Sequence, residues 1–568
     1  MKKIVSLFLA LCMVLTIGAA FADTNNPAFD TTLTITGLEN GDKVTLYQVL
    51  GWDGYWKAVA PYNNETNGLT QTEVDTIVGQ NHETGAITTA AGLTDTYINK
   101  IIAITGATSV DGPTTVSGTT YTYTATAAGM YYAVVTPVNG TKIYKPIFVS
   151  SDFKAGGSNT QEVSSTNAKY ETITINKQAT DQTDDQDGDK TYTNGANSYN
   201  TVGIGDTVTF KIETTIPKFP VSFTSPVFKV SDTLNGLKLN HGAGDIKVYA
   251  GDIADANLLT AGTQYTLNPA ATDTSFTVSF DSDWIKTLNA AQPIKVVYQG
   301  VVDETATYNI NAKENTATVN FSNNPDDTVG ANKLKDETRH YTFSINGLVK
   351  GERHGTDLIK VGVDKEGHEI LATVELPNAN WAGVLEGAVF TLYESDQTTV
   401  YKGLNNLSSN SQGLIEINGL DAGTYYLKET SAPAGFVAYD GWTKIEIIPT
   451  FRTKTVNATT ETINGITVTV PAYEYAELET YTIKINNETT STYEVTNDAI
   501  TTNDDDQIAA GSATDHKPNG GMLGKIGNTE GVELPHTGGI GTTIFYILGG
   551  VLVIGAAVIL VARRKAHD

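Results

Sequence analysis

The chain has 568 residues, with 37 Lys plus Arg against 63 Asp plus Glu and a formal net charge of −26. So acidic a balance argues against nucleic acid as a partner. Its single cysteine, Cys12, falls in an N-terminal stretch expected to be removed, which excludes disulfides and thiol chemistry from the mature protein.

Met1, Lys2 and Lys3 precede the apolar run Ile4 to Ile17, and Ala20-Phe21-Ala22 places small residues where a signal peptidase needs them. Residues 1–22 therefore read as an export signal cleaved after Ala22. A lipoprotein reading of Cys12 is opposed by Leu11, which is too large for the residue before it. Residues 23–168 form the first expected domain. Thr32 to Thr36 alternates like a half-buried strand, Gln71 to Gly79 and Thr94 to Ile104 read as short helices, and polar Gly156 to Ala168 reads as a joint.

Residues 169–338 form the second expected domain, with strand patterns at Ile173 to Lys177, Thr207 to Ile212, Val230 to Leu234, Ile294 to Tyr298 and Asn315 to Val319. Polar Asn323 to Thr338 reads as the next joint. Asp184 to Asp189 is similar to part of a calcium loop, but Asn194 stands where its acidic residue belongs, so a solvated turn is expected. The eight His show no ligand spacing, and neither a metal nor a cofactor is expected.

The third expected domain, residues 339–503, carries the alternating run Leu358 to Val363. Residues 504–533, with Asp504-Asp505-Asp506 and several glycines, read as a flexible stalk. Residues 534–568 open with Leu534-Pro535-His536-Thr537-Gly538, where Pro535 holds a bend and Gly538 leaves the following bond sterically open. The run Ile540 to Ala562 is long enough to cross a hydrocarbon core of about 30 Å as a helix. Arg563, Arg564 and Lys565 then hold the tail inside and put the rest outside the cell. The fold class expected is all-β: tandem immunoglobulin-like sandwiches followed by a single C-terminal transmembrane helix.

The pentapeptide, apolar span and basic tail together resemble the cell-wall sorting signal of Gram-positive surface proteins. That resemblance implies a sortase that cuts between Thr537 and Gly538 and holds the Thr carbonyl as a thioester until an amine attacks. It also implies a transient membrane anchor and a final attachment to peptidoglycan. Tyr426-Leu427-Lys428-Glu429-Thr430-Ser431-Ala432-Pro433-Ala434-Gly435-Phe436 resembles the E-box of sortase-assembled pilins, departing only at Phe436. Leu385 to Tyr393 and Gly419 to Tyr425 resemble parts of the Cna-B type domain found in that family.

In such domains a Lys on the first strand condenses with an Asn on the last beside a buried carboxyl, releasing ammonia. Matching strands implies Lys360, Glu429 and Asn497 in the third domain, with Lys350 as the alternative lysine. The second domain resembles the pilin D2 domain of Cna-A type, implying Lys177, Asp232 and Asn315, with Asn320 as the alternative amide. The Lys to Asn separations, 138 and 137 positions, agree between the two. Burial lowers a Lys pKa and raises that of a carboxylic acid, so a neutral amine can attack while the acid polarises the amide carbonyl and relays protons. The first domain shows no such set.

Polymerisation in the family uses a lysine at the end of the first domain, in a Y-P-K-N type segment. No such tetrapeptide exists here; Lys169 in Asn167-Ala168-Lys169-Tyr170 is its positional equivalent and Lys154 the alternative. The resemblance thus implies a major, shaft-forming pilin whose partners are a sortase, other copies of itself, peptidoglycan and ancillary pilins. The competing expectations are a basal pilin, or an adhesin anchored singly to the wall and contacting a host or microbial surface ligand. A turnover enzyme is not expected, because the bond-forming sets act once, on themselves.

Overall fold

A computed structural model describes residues 32–565 apart from residues 87, 89, 139, 152–163, 180–200, 241–245, 268–273, 304–312, 347, 350, 351, 354–356, 368–382, 464, 497, 498, 501–523 and 532–539. Strands dominate, as the alternating patterns require. At the N-terminal end, Lys43–Trp52 and Gly129–Thr136 pair antiparallel at the centre of a five-stranded sheet. The two expected helices form at Gln71–Val78 and Asp95–Ile102. Thr70 and Glu73 make a reciprocal capping box at the start of the first, and Gly79 ends it at φ 69° in the left-handed region. Val74, Ile77 and Ile101 bury against Val49, Leu50 and Trp56. Part of the expected joint before Lys169 is sheet instead: Ser165–Asn167 runs parallel to Thr32–Thr36, Thr166 opposite Ile35.

The middle sandwich faces two sheets across one core. The first contains Ile175–Ala179, Thr207–Ile216 and Gln292–Val302 in adjacent positions; the second orders Ser275–Phe280, Phe228–Asn235, Lys313–Phe321 and Asn332–His340. Phe210, Phe228, Phe276 and Phe321 fill the space between them and are fully buried. The Asn332–His340 strand corrects the expected joint Asn323 to Thr338. Its register with Lys313–Phe321 is continuous from Asn332 opposite Phe321 to His340 opposite Lys313. Asp336 lies on one face of this strand and accepts from Lys177 N at 2.6 Å, whereas Lys333, Lys335, Glu337 and Arg339 share the other, outward face.

What covers that face comes from the third sandwich. Its seven-stranded sheet includes Val389–Tyr393, Gly423–Ser431, Trp442–Val456 and Tyr473–Ile485. Beyond Thr450 and Thr480 the last two pair only with each other among the described residues, forming an arm tipped by the hairpin Thr459–Ile463 and Ile466–Val470. Lys333 and Lys335 donate to Glu461 at 2.5 and 2.9 Å, and the Tyr473 hydroxyl donates to Glu337 at 3.0 Å. The guanidinium of Arg339 lies 3.8 Å from the Tyr475 ring centroid. The tip reaches the first sandwich, where a Cβ at Gly140 would sit 3.5 Å from the Thr469 carbonyl oxygen.

Opposite the seven-stranded sheet, Leu358–Val363 pairs in parallel with Gly524–Glu530, which also pairs with Phe436–Val437. This corrects the expected stalk over residues 524–530, since Gly524–Glu530 joins the third sandwich and buries Ile526 in its core. The C-terminal apolar segment is helical over Ile540–Lys565, with an uncharged stretch long enough to cross a membrane.

Candidate functional sites: two buried lysine, acid and amide clusters

In the third sandwich the parallel pairing sets Lys360 opposite Ile526 and Gly362 opposite Asn528. Residues two apart on a strand share a face, so Asn528 points to the same side as Ile526 and Lys360. Glu429 reaches them from Gly423–Ser431 on the facing sheet, where it lies opposite Phe390. Lys360 and Asn528 are both 0% exposed, sealed from water. The Lys360 ammonium nitrogen donates to Glu429 Oε2 at 3.0 Å and to Asn528 Oδ1. Asn528 Nδ2 donates to Glu429 Oε1 at 2.7 Å, and Tyr439 N donates to Oε2 at 3.0 Å.

Amine, carboxyl and carboxamide therefore form a closed ring of contacts. Burial lowers the Lys360 pKa to about 8, with the attraction of Glu429 opposing the shift. The carboxyl touches the nitrogen that would leave as ammonia, while the amide oxygen is held by the attacking amine. The acid is thus placed to move protons onto the leaving group rather than to polarise the carbonyl.

The amide in this ring corrects the sequence expectation. Asn497 lies outside the described residues, and the position facing Lys360 and Glu429 is held by Asn528, carried there by the strand that reads as stalk. Lys350, the alternative lysine, is also outside the described residues.

The middle sandwich builds its cluster across the two sheets. Lys177 projects inward from Ile175–Ala179, opposite Ile212. On the facing sheet Asp232 lies opposite Ala317 and Asn315 opposite Leu234, so the two side chains are diagonal neighbours on the buried face. All three are buried. Lys177 Nζ donates to Asp232 Oδ2 and, at 2.5 Å, to the Tyr298 hydroxyl; Asn315 Nδ2 donates to the same hydroxyl at 2.9 Å. Burial drives the Lys177 pKa down and the Asp232 pKa up, against their mutual attraction. Both effects favour the uncharged amine and acid, avoiding the desolvation cost of a buried ion pair. Asn320 stands apart, its Nδ2 3.4 Å from the Asn332 carbonyl oxygen. Tyr298 is the member that sequence reasoning missed. Its inward phase follows from the alternation Ile294, Val296, Tyr298, but nothing in that pattern announces a hydrogen-bonding role.

Lys169 is exposed, between Ser165–Asn167 and Tyr170–Thr172, with its carbonyl accepting from Lys145 N at 2.8 Å. Lys154 and the pentapeptide Leu534, Pro535, His536, Thr537 and Gly538 lie outside the described residues, as does the Asp184 to Asp189 turn.

Comparisons with known proteins cover both ends and the third sandwich. Residues 29–178 match the T6 antigen Ig-like domain, residues 378–463 the SpaA prealbumin-like fold domain and residues 528–568 the LPXTG cell wall anchor motif. The trypsin-resistant surface T6 protein of Streptococcus pyogenes serotype M6 is 23% identical, over 94% of this chain and 95% of that one. The solved T6 backbone pilin of serotype M6 Streptococcus pyogenes, described as modular and three-domain, covers 88% of this chain and 98% of its own at 18% identity and a TM-score of 0.50. The full-length major pilin SpaD from Corynebacterium diphtheriae covers 90% and 99% at 15% identity and a TM-score of 0.41.

Proposed function

We propose that the chain is a cell-wall-anchored surface protein of the sortase-assembled Gram-positive pilin type, and that it is the backbone subunit of the fibre, stapled internally by two amide bonds. In this reading a sortase cuts after Thr537 and transfers its carbonyl to Lys169 of another copy, or finally to peptidoglycan. Within each subunit Lys177 joins Asn315 and Lys360 joins Asn528, each with loss of ammonia. Asp232 and Glu429 shuttle the protons.

The observation that carries this is the ring formed by Lys360, Glu429 and Asn528. A fully buried lysine held between a carboxyl and a carboxamide is expensive as a permanent charge and well placed as a neutral nucleophile. Each bond would join strands far apart in sequence, so that pulling force bypasses the ladder hydrogen bonds between them. Domain limits follow the three cores, with the third extended to include Gly524–Glu530.

The test has two arms. Intact mass of the mature chain should fall short of the sequence mass by two ammonia molecules, with one deficit lost in Asp232→Ala and the other in Glu429→Ala. Wall extracts should show a ladder of covalent multimers that Lys169→Ala abolishes. The absence of a Y-P-K-N type segment at Lys169 favours a second reading, a singly anchored adhesin, for which extracts would contain monomers alone.

A further inference from the structure

The two clusters differ in one respect that the shared chemistry must accommodate. Glu429 spans its site unaided, one carboxyl oxygen on Lys360 and the other on Asn528 Nδ2. Asp232 is one methylene shorter. It reaches Lys177 through Oδ2, while its Oδ1 has no hydrogen-bond partner among the described residues and does not touch Asn315. The gap is filled by the Tyr298 hydroxyl, which accepts from both Lys177 Nζ and Asn315 Nδ2. With both lone pairs used, the phenol has one proton to give, and the carboxyl of Asp232, which helps to raise the phenol pKa, is the acid nearest to it through their shared partner Lys177. The ring is 1% exposed and clamped, stacked on Phe210 at 5.3 Å and edge-on to Phe276 at 4.9 Å, so the hydroxyl has little freedom to leave.

We propose that Tyr298 is a catalytic residue of the middle crosslink, carrying a proton from Asp232 to the departing nitrogen of Asn315, so that Asp and Tyr together do what Glu429 does alone. The proposal rests on the Lys177–Asn315 bond put forward above. In the step, the Lys177 Nζ to Asn315 Cγ bond forms and the Cγ to Nδ2 bond breaks. A proton leaves Nζ for Asp232. Once the attack has made Nδ2 a tetrahedral amine with a free lone pair, the Tyr298 hydroxyl rotates to give it the phenol proton, the vacated oxygen lone pair takes a proton from Asp232, and Nδ2 departs as ammonia. Acid and phenol end as they began, and no oxidant, reductant or further reactant enters.

The experiment follows both crosslinked peptides in tryptic digests of the full-length chain, sampled at intervals after a pulse of synthesis. Tyr298→Phe should slow the Lys177–Asn315 peptide by roughly a hundredfold, the scale of general acid–base assistance, and leave the Lys360–Asn528 peptide unchanged as an internal clock. Asp232→Glu added to Tyr298→Phe should restore the middle bond, because the longer acid reaches the amide directly. Hydrogen exchange along Thr207–Ile216 reports whether the sandwich is intact. Should Tyr298→Phe also lose that protection, fluorotyrosine at position 298 decides, since it keeps the ring and hydroxyl but is a stronger acid and should change the middle rate severalfold. An unaltered rate in Tyr298→Phe, an unaltered rate with fluorotyrosine, or no rescue by the longer acid would each overturn the relay. A wild-type chain without the Lys177–Asn315 peptide would instead overturn the underlying bond.

Discussion

Asn528 accepts a hydrogen bond from the amine of Lys360 although 168 positions separate them in the chain. The contact exists because Gly524–Glu530 returns past the whole third sandwich to lie parallel to Leu358–Val363. The prediction follows directly. Asn528→Ala should abolish the crosslinked peptide of the third sandwich, whereas Asn497→Ala should leave it at full yield. Peptide mapping by mass spectrometry reads both, and a bond that survives Asn528→Ala sinks the assignment.

Closing a loop of that length restricts the unfolded chain by roughly 5 kcal/mol on the disulfide entropy relation, applied here to an amide. For a unit of this size that corresponds to a melting temperature roughly 10–20 °C lower once the bond is prevented. Glu429→Gln is the variant of choice, because it keeps the shape of the side chain while removing the acid. Calorimetry should show the third sandwich melting earlier while the middle one, crosslinked through Lys177, keeps its transition. A drop confined to a degree or two would mean that no bond had been there to lose.

Much of this arrangement is legible in the sequence, and the exceptions have physical causes. The resemblance to pilin domains implies Lys360, Glu429, Lys177, Asp232 and Asn315, and each lies on a strand whose alternation is consistent with an inward side chain. Gly524–Glu530 offers one apolar residue, Ile526, between glycines and charges; a strand whose edges are both paired can be that polar, because the ladder satisfies its backbone. The near-equal Lys to Asn separations agree with Asn497, the residue that matching strands implies, but the amide that lies beside Lys360 is Asn528. Asn332–His340 misled for a different reason. Its Lys333, Lys335, Glu337 and Arg339 look like a solvated connection until the partner surface of the arm, more than a hundred positions away, is set against them.

The depressed pKa of Lys360, about 8, sets a pH dependence for bond formation. Only the neutral amine attacks, so below that value each unit of acidification should slow the third-sandwich crosslink by about tenfold, and above it the rate should level off. Rates measured on freshly synthesised chain across pH 5 to 9 would show this limb or its absence. In Asn528→Ala, where no bond can form, the same shift acts on stability. Between about 8 and the ordinary lysine value of 10.5, the unfolded chain still holds a proton that the folded one has released. Stability therefore rises with pH across that window.

The arm makes the last prediction. Glu461 gathers Lys333 and Lys335, and those hydrogen bonds hold its pKa below the usual carboxylate value. The pairs are partly exposed, so they contribute at most about 1 kcal/mol and are screened by salt. Glu461→Ala should consequently leave global melting almost unchanged while loosening the hairpin Thr459–Val470 from the middle sandwich. Acid should act in the same direction, since a depressed carboxylate contributes stability above its unfolded pKa and loses it as pH falls through the folded one. Hydrogen exchange at the hairpin amides should quicken in Glu461→Ala, in high salt and at low pH, with little change along Thr207–Ile216. Equal protection in all four conditions would show that the apolar contacts of Val468 and Val470, both buried, hold the arm without its charges.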